Sequence, residues 1–284
     1  MRATKPTDRL IRNVSDTALW AAMYRALETD RSDALFRDPF ARRLAGERGE
    51  AIFTSVPEKR RNAWAWSMRT YLFDNFIRAE LANGADMVVN LAAGLDARPY
   101  WMNLPPALRW IEVDLPELLE YKQSIIGDAK PVCRLERVAL DLSDEPSRRA
   151  LFEKLGGRAS KVVVLTEGLL IYLTPEGAGA LARDLAAQPS FHRWILDIVS
   201  PGLRRMMEKQ MEDKLERAPF NFAPAEGPPF FEQHGWRVQA VESTLQTAAQ
   251  LRRVGWFFRL IAKLPHSKGA QGGRPWSGTV LLAR

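Results

Sequence analysis

The chain has 284 residues and a single cysteine, Cys133. One cysteine excludes an internal disulfide. It lies in the apolar stretch "PVCRLERVAL", where a buried thiol is expected over a reactive one. Only three histidines are present, His192, His234 and His266, and no ligand spacing joins them; no metal site is predicted. No G-x-S-x-G elbow is found, so a serine hydrolase has no support. No apolar run reaches the length needed to span a bilayer, so no integral membrane segment is expected. The start, "MRATKPTDRLIRNVSD", has no apolar h-region, so no secretion signal is expected and the compartment is predicted to be the cytoplasm. Internal repeats, low-complexity tracts and dividing linkers are also lacking.

The net charge is +7. A nucleic-acid enzyme would spread such an excess over a broad face. Here it is concentrated. From Ser243 to Arg284 the chain carries Arg252, Arg253, Arg259, Lys263, Lys268, Arg274 and Arg284 with no Asp or Glu, and the rest is balanced. A nucleic-acid partner is therefore not expected. Within this segment, "LRRVGWFFRLIAKLP" places Leu251, Val254, Phe258 and Ile261 at helical spacing, with Arg252, Arg259 and Lys263 off that stripe. Three readings are open: a helix packed on the sheet edge with a solvated basic side, a surface for a membrane or acidic partner, or a wall of a substrate pocket.

With 46% hydrophobic residues the chain can bury one large core. From residue 64 onward, strands and helices alternate. "AWAWSMRTYLFDNFIRAELAN" predicts a helix, and "MVVNLAA" a strand closed by Gly94. "RWIEVDL", "VCRLERVAL", "KVVVLTE" and "HRWILDIVS" predict four more strands. Helices are predicted between them over "PELLEYKQSII", "EPSRRALFEKL" and "TPEGAGALARDLAAQ". The last has Thr174 as N-cap and Pro175 at its first position. After Ser200 come a helix "PGLRRMMEKQMEDKLERA", a Pro-rich loop, and two closing strands, "GWRVQAVES" and "GTVLLAR", expected to form an antiparallel edge pair. The alternation predicts a doubly wound α/β sheet of seven strands, mostly parallel. The first 63 residues form a helical cap, and residues 64–284 a Rossmann-like core with a helical insertion near 200–230, all one domain.

Ligands of such sheets bind at the carboxyl ends of the strands. Those ends deliver Ala93-Gly94 after strand one, Asp114 and then Leu115 after strand two, Asp141-Leu142 after strand three, and Glu167-Gly168 after strand four. The glycine lets a ligand approach the backbone. An acid ending strand two suits a ribose diol, Asp141 an exocyclic amine, and the acid after strand four an ammonium. A nucleoside bearing an amino acid, such as S-adenosylmethionine, has all three features. NAD would need G-x-G-x-x-G as a phosphate cradle. The stretch here is A-A-G-L-D-A, with Asp96 where phosphate would be repelled.

Other acids and bases keep two readings. Arg98 pairs with Asp96 to set the turn or faces the ligand. Glu112 is a surface residue or a cofactor contact. Asp141 contacts the ligand or caps a helix beginning near Ser143. Glu167 is a ligand contact or a turn acid. Tyr172, just beyond strand four, contacts a substrate or packs.

Taken together, "VVNLAAGLDARPYW", "WIEVDLPELLEYK", "LTEGLLIYLTPE", "WSMRTYLFDNFI" and "SDTALWAAMYRALETDRSDALFRDPFARRLAG" resemble the leucine carboxyl methyltransferase family, which includes tetracenomycin-type polyketide O-methyltransferases. The resemblance runs from about Val14 to the end. It implies a class I methyltransferase fold and S-adenosylmethionine as cofactor. It also implies roles: Gly94 in the turn under the methionine part, Asp114 on the ribose, Asp141 and Leu142 on adenine, and Glu167 after strand four. Arg69 would lie on the cofactor carboxylate, where a guanidinium makes two parallel hydrogen bonds. Two positions depart from the pattern: Ala92 stands where many relatives have glycine, and Asn90 where other methyltransferases often have an acid. The expected activity is O-methylation of a carboxylate or phenol of a small molecule; the alternatives are methylation of a protein C-terminus, or partner or membrane binding without catalysis.

Overall fold

The computed structural model describes residues 14–55, 63–211, 219–264 and 274–284. Seven strands form one sheet: β1 (Met87–Leu91), β2 (Arg109–Asp114), β3 (Arg134–Ala139), β4 (Val162–Thr166), β5 (Phe191–Val199), β6 (Arg237–Ser243) and β7 (Ser277–Ala283). Their order is β3-β2-β1-β4-β5-β7-β6. The pairs from β3 through β5 are parallel. β7 runs antiparallel to both β5 and β6, so β6 points the same way as β1 to β5. The order of strand addition reverses when the chain crosses from β3 back to place β4 beside β1, which makes the carboxyl ends of β1 and β4 the switch point.

The helices follow the expected alternation. They are α1 (Val14–Thr29), α2 (Ala41–Ser55), α3 (Ala63–Ala82), α4 (Arg98–Trp101), α5 (Pro116–Ile126), α6 (Glu145–Gly156), α7 (Pro175–Ala186), α8 (Pro201–Met211), α9 (Thr244–Gln250) and α10 (Trp256–Ile261). Thr174 caps α7 by accepting from the Gly177 amide, with Pro175 at the first turn. α6 begins at Glu145, where "EPSRRALFEKL" placed it, and its cap is Asp144, so the alternative in which Asp141 caps a helix beginning near Ser143 does not hold. The helix expected over 201–218 is observed to Met211; its continuation lies outside the described residues. Two short helices, α9 and α10, separate β6 from β7; α10 falls within the segment 251–265 that showed helical spacing, and α9 was not expected. No helix among the described residues is long and apolar enough to cross a membrane.

β1 and β4 are buried along their whole length, as expected for strands covered on both faces. One face packs Val89, Val164, Trp194 and Leu282 against Phe152 of α6 and Leu181 of α7. The other packs Val88, Trp110, Val163 and Ile195 against Phe73 and Ile77 of α3. A separate apolar cluster joins α1 and α2 to α5 through Leu19, Tyr24, Leu44, Phe53, Leu118 and Ile126. The first two helices therefore bury their apolar faces against α5 and the turn after β1 rather than against each other alone. Cys133 is buried, and burial pushes its thiol up to about 11, which removes the thiolate needed for reactivity.

Candidate cofactor site

The turn after β1 has two left-handed positions separated by one residue: Ala92 (φ 50°) and Gly94 (φ 53°). Glycine takes this conformation freely, whereas a residue with a Cβ pays about 1–2 kcal/mol there. The turn persists because its neighbours fix it. Asp114, at the end of β2, accepts the Gly94 amide at 2.6 Å and the Leu115 amide at 2.7 Å. The Ala93 amide is held by the Val113 carbonyl at 3.2 Å. The acid that ends strand two is thus tied to the glycine turn that ends strand one. Burial raises the Asp114 carboxyl pKa, and the Gly94 and Leu115 amides oppose the shift.

Helix α1 covers this turn. A Cβ added at Gly94 would stand 3.5 Å from that of Ala18, and the Arg25 guanidinium donates to the Leu95 carbonyl at 2.6 Å.

Just beyond the turn lies Arg98, buried with a side chain 3% exposed. Its Nε donates to Asp74 of α3 at 2.6 Å. Its Nη1 reaches Asp96 at 2.7 Å and Glu167 at 2.9 Å, and its Nη2 donates to the Thr70 carbonyl at 3.4 Å. Asp96 also accepts the Arg98 amide at 2.8 Å and the Asn90 side-chain amide at 2.9 Å. Arg98 therefore sets the turn, as one of its two readings held, but by joining three carboxylates rather than Asp96 alone. Asp96 faces inward to Arg98. Burial acts to raise Asp96, and the Arg98 and Lys122 charges prevail and lower it. Asp74 is different: burial outweighs Arg98 and pushes it up to about 6, and its second oxygen has no hydrogen-bond partner among the described residues.

Glu167, after β4, is shared by two arginines. Besides Arg98 it meets Arg69 Nε at 3.2 Å, and the pair of guanidiniums overcomes burial to hold its pKa low. Arg69 lies over the Trp66 ring at 4.8 Å and reaches Asp197 of β5 at 3.5 Å. Asp197 in turn accepts the Gly168 amide at 2.6 Å, and Gly168 is left-handed at φ 75°. A Cβ there would stand 3.0 Å from Arg69 Nη1, so this position requires glycine for both its conformation and its space. The structure thus brings Arg69, Ala93, Gly94, Asp114, Leu115 and Glu167 to one rim.

Asp141 is exposed at that edge of the sheet and accepts the Ser143 amide at 2.8 Å; Leu142 beside it is partly buried. Burial raises the Tyr172 phenol, opposed by a side-chain hydrogen bond with Thr17 of α1 and by the Arg69 charge. Tyr172 also packs on Phe220, with ring centroids 5.9 Å apart. It therefore links cap and rim.

One reading is overturned. Glu112 is neither on the surface nor at the rim. It is fully buried, held by Lys122 at 2.7 Å and Arg137 at 3.0 Å. Its place mid-strand points it into the sheet layer, where a charge persists only when paired. Two acids went unnoticed. Asp197 is a lone acid in the apolar strand "WILDIV", and Asp74 a lone acid on the buried face of "YLFDNFI". An isolated charge inside an apolar run was the available signal for both.

Asp74, Asp96, Glu167 and Asp197 share the guanidiniums of Arg69 and Arg98, with the exposed Arg78 3.7 Å from Asp74. Asp114 adds a further carboxylate beside the turn. The Lys122 charge also acts on Asp96 and Asp114, and the Arg25 charge on Asp96 and Glu167, so these acids are matched by bases and offer a ligand hydrogen-bond acceptors rather than a net negative field. The backbone at Gly94 offers close approach, and the acid beside it has lone pairs left for hydroxyl donors. These features fit an adenosyl sulfonium carrying an ammonium.

Comparison with known proteins agrees with this chemistry. The family model for leucine carboxyl methyltransferase matches residues 18–186. A protein of Parafrankia sp. (strain EAN1pec) is 31% identical over 266 residues, covering 84% of this chain and 82% of that one. A protein of Streptomyces coelicolor is 37% identical over 185 residues, covering 61% and 64%. Both are provisionally named S-adenosyl-L-methionine-dependent methyltransferases. A DUF574 family protein of Streptomyces avermitilis, known from a crystal structure, superposes with a TM-score of 0.56 over 93% of this chain and 97% of that one at 15% identity. This last likeness concerns the fold alone.

Proposed function

Since the chain belongs to the leucine carboxyl methyltransferase family and is an S-adenosylmethionine-dependent methyltransferase, we propose that it methylates an oxygen, carboxylate or phenolic, of a small molecule. The observation that carries the small-molecule reading is the roof formed by α1. Ala18 lies against the Gly94 turn, Arg25 is bonded to Leu95, and Thr17 is bonded to Tyr172. A site roofed this closely to the cofactor turn suits a compact acceptor better than a protein tail.

The cofactor, when bound, supplies a methyl group on a sulfonium, which an oxygen nucleophile attacks from the side opposite sulfur. The work of this chain is to position and to exclude water, which can supply most of the acceleration. In our reading Ala93 and Gly94 offer backbone to the amino-acid part. Asp114 accepts the ribose hydroxyls while keeping its bonds to the turn. Leu115 flanks the ribose, and Asp141 and Leu142 hold the adenine. Arg69 takes the cofactor carboxylate, held in direction by Glu167, whose own charge also favours the nearby ammonium. Tyr172, between cap and rim, touches the acceptor. A carboxylate acceptor is already a nucleophile and needs no base, whereas a phenol would be helped by one.

The reading is tested by incubating the protein with methyl-labelled cofactor and either a metabolite extract or a peptide ending in a leucine carboxylate. Label is expected in a small organic product. Loss of that label in mild base marks a carboxyl ester, and retention marks an aryl ether. Label in the peptide alone would replace the proposal with protein carboxyl methylation.

A further inference from the structure

Helix α10 does not pack as an edge helix should. None of its residues is buried. Trp256, Phe257, Phe258, Leu260 and the following Leu264 are exposed, from 38% at Phe258 to 74% at Trp256. Consecutive helical residues point about 100° apart, so the apolar side chains at 256, 257, 258 and 260 surround most of the helix. Among the described residues it is anchored by α9 and at its margins. Phe258 meets Trp64 of α3 at 6.3 Å, and Val254 and Ala262 are buried on either side. Arg252, Arg259 and Lys263 are exposed beside it. Arg253 is not part of this set, because it is engaged by Glu28 and Asp33.

We propose that α10 is an interfacial element that inserts its aromatic and leucine side chains into an anionic lipid surface, with Arg252, Arg259 and Lys263 on the headgroups. The shape decides between occupants. A protein partner or second copy would need a flat patch or groove to bury such side chains. A convex helix apolar around most of its circumference is received by a fluid interface, and the flanking cations complement a negative leaflet. The basic bias of the last segment, from Ser243 to Arg284 without an acid, adds long-range attraction to the same surface. α9 and α10 leave from the carboxyl end of β6, which points the same way as β1 to β5. Docking by α10 therefore turns the rim bearing Gly94, Asp114 and Glu167 toward the lipid. An apolar acceptor dissolved in the bilayer would then reach the site without crossing water. The proposal stands on α10 alone and does not depend on which oxygen is methylated.

The test is co-sedimentation of the full chain with vesicles of equimolar phosphatidylcholine and phosphatidylglycerol, and with phosphatidylcholine alone. Binding is expected to the anionic vesicles and to be at least roughly tenfold weaker without anionic lipid. Trp256→Ser with Phe257→Ser should weaken it roughly tenfold or more. Arg259→Gln with Lys263→Gln should weaken it by about the same factor, most at low salt. All four side chains are exposed, so unchanged thermal unfolding of each variant serves as the folding control. Absence of binding by the folded wild-type chain would overturn the proposal. So would a concentration-dependent dimer that dissociates on the Trp256→Ser and Phe257→Ser substitutions, because that would assign the face to a second copy.

Discussion

Arg98 and Arg69 share one carboxylate, Glu167, yet they sit in different worlds. Arg98 is sealed in, bonded at 2.6–2.9 Å to Asp74, Asp96 and Glu167. Arg69 is one-fifth exposed, with longer contacts of 3.2 and 3.5 Å to Glu167 and Asp197. The buried Arg98 guanidinium spends its Nε and Nη1 donors on acids of the fold. A half-open one with slack contacts keeps donors and direction for a ligand. Burial and contact length, rather than residue type, separate the arginine that builds the site from the one proposed to use it.

Removing Arg98 gives the largest expected effect. Arg98→Ala leaves the buried Asp74 and Asp96 without their guanidinium and Glu167 with Arg69 alone, and loss of one partner from a buried ion pair costs about 3–5 kcal/mol. The denaturant midpoint should fall accordingly. A change under about 1 kcal/mol, the size expected of an exposed pair, would erase the distinction between the two arginines. Arg69→Gln should do the reverse: a smaller stability loss than Arg98→Ala, because its contacts are longer and its side chain is one-fifth exposed, with S-adenosylmethionine affinity reduced roughly tenfold or more through the lost charge-assisted bonds. Calorimetric titration and a melt on the same sample separate these two effects.

Asp74 sharpens the comparison through pH. Its folded pKa, about 6, lies above the ordinary 3.8. The folded state therefore holds more protons between those values, and the contribution of this group to stability is full below the lower one and lost as pH rises through the upper one. In Asp74→Asn this contribution disappears. Wild-type stability minus variant stability should thus grow by up to about 3 kcal/mol as pH falls from about 7 to below 4. Denaturant midpoints across that range check it; a flat difference would mean that folding leaves the Asp74 pKa unshifted, and one that shrinks as pH falls would mean that Arg98 holds Asp74 ionised. The smallest effect is expected at Ala92. Ala92→Gly relieves about 1–2 kcal/mol of left-handed strain but loosens the unfolded chain by about 0.4–1 kcal/mol. The net should be a stabilisation of about half a kcal/mol, read from the melting temperature, with cofactor affinity unchanged.

The parts of the molecule visible in the sequence were those governed by local pattern. Continuous apolar runs such as "KVVVL" located strands buried on both faces, and Thr174-Pro175 located a helix start. Strand ends located Gly94, Asp114 and Glu167. Long-range pairing left less trace. Glu112 alternates with Ile111 and Val113, so periodicity alone allowed it to face water; only the approach of Lys122 and Arg137 from elsewhere makes a buried charge tolerable there. Asp197 was passed over because it lies within β5 rather than past its end, and its role depends on meeting Gly168 from the neighbouring strand. The segment after residue 251 was legible as amphipathic but not in its breaks. Gly255 divides it, so Val254 turns inward while Trp256 to Leu260 remain outside, a division set by α3 and α9 rather than by spacing.

The central claim, that the acid ending β2 holds the ribose of S-adenosylmethionine beside the Gly94 turn, is tested most directly by titrating that cofactor calorimetrically into wild type and Asp114→Asn, with the unfolding midpoint of each measured alongside. The account predicts a binding heat in wild type and an affinity reduced roughly ten- to a hundredfold in the variant, the loss expected for hydrogen bonds to a charged group, with the fold retained. Equal affinity in the two folded proteins would contradict it.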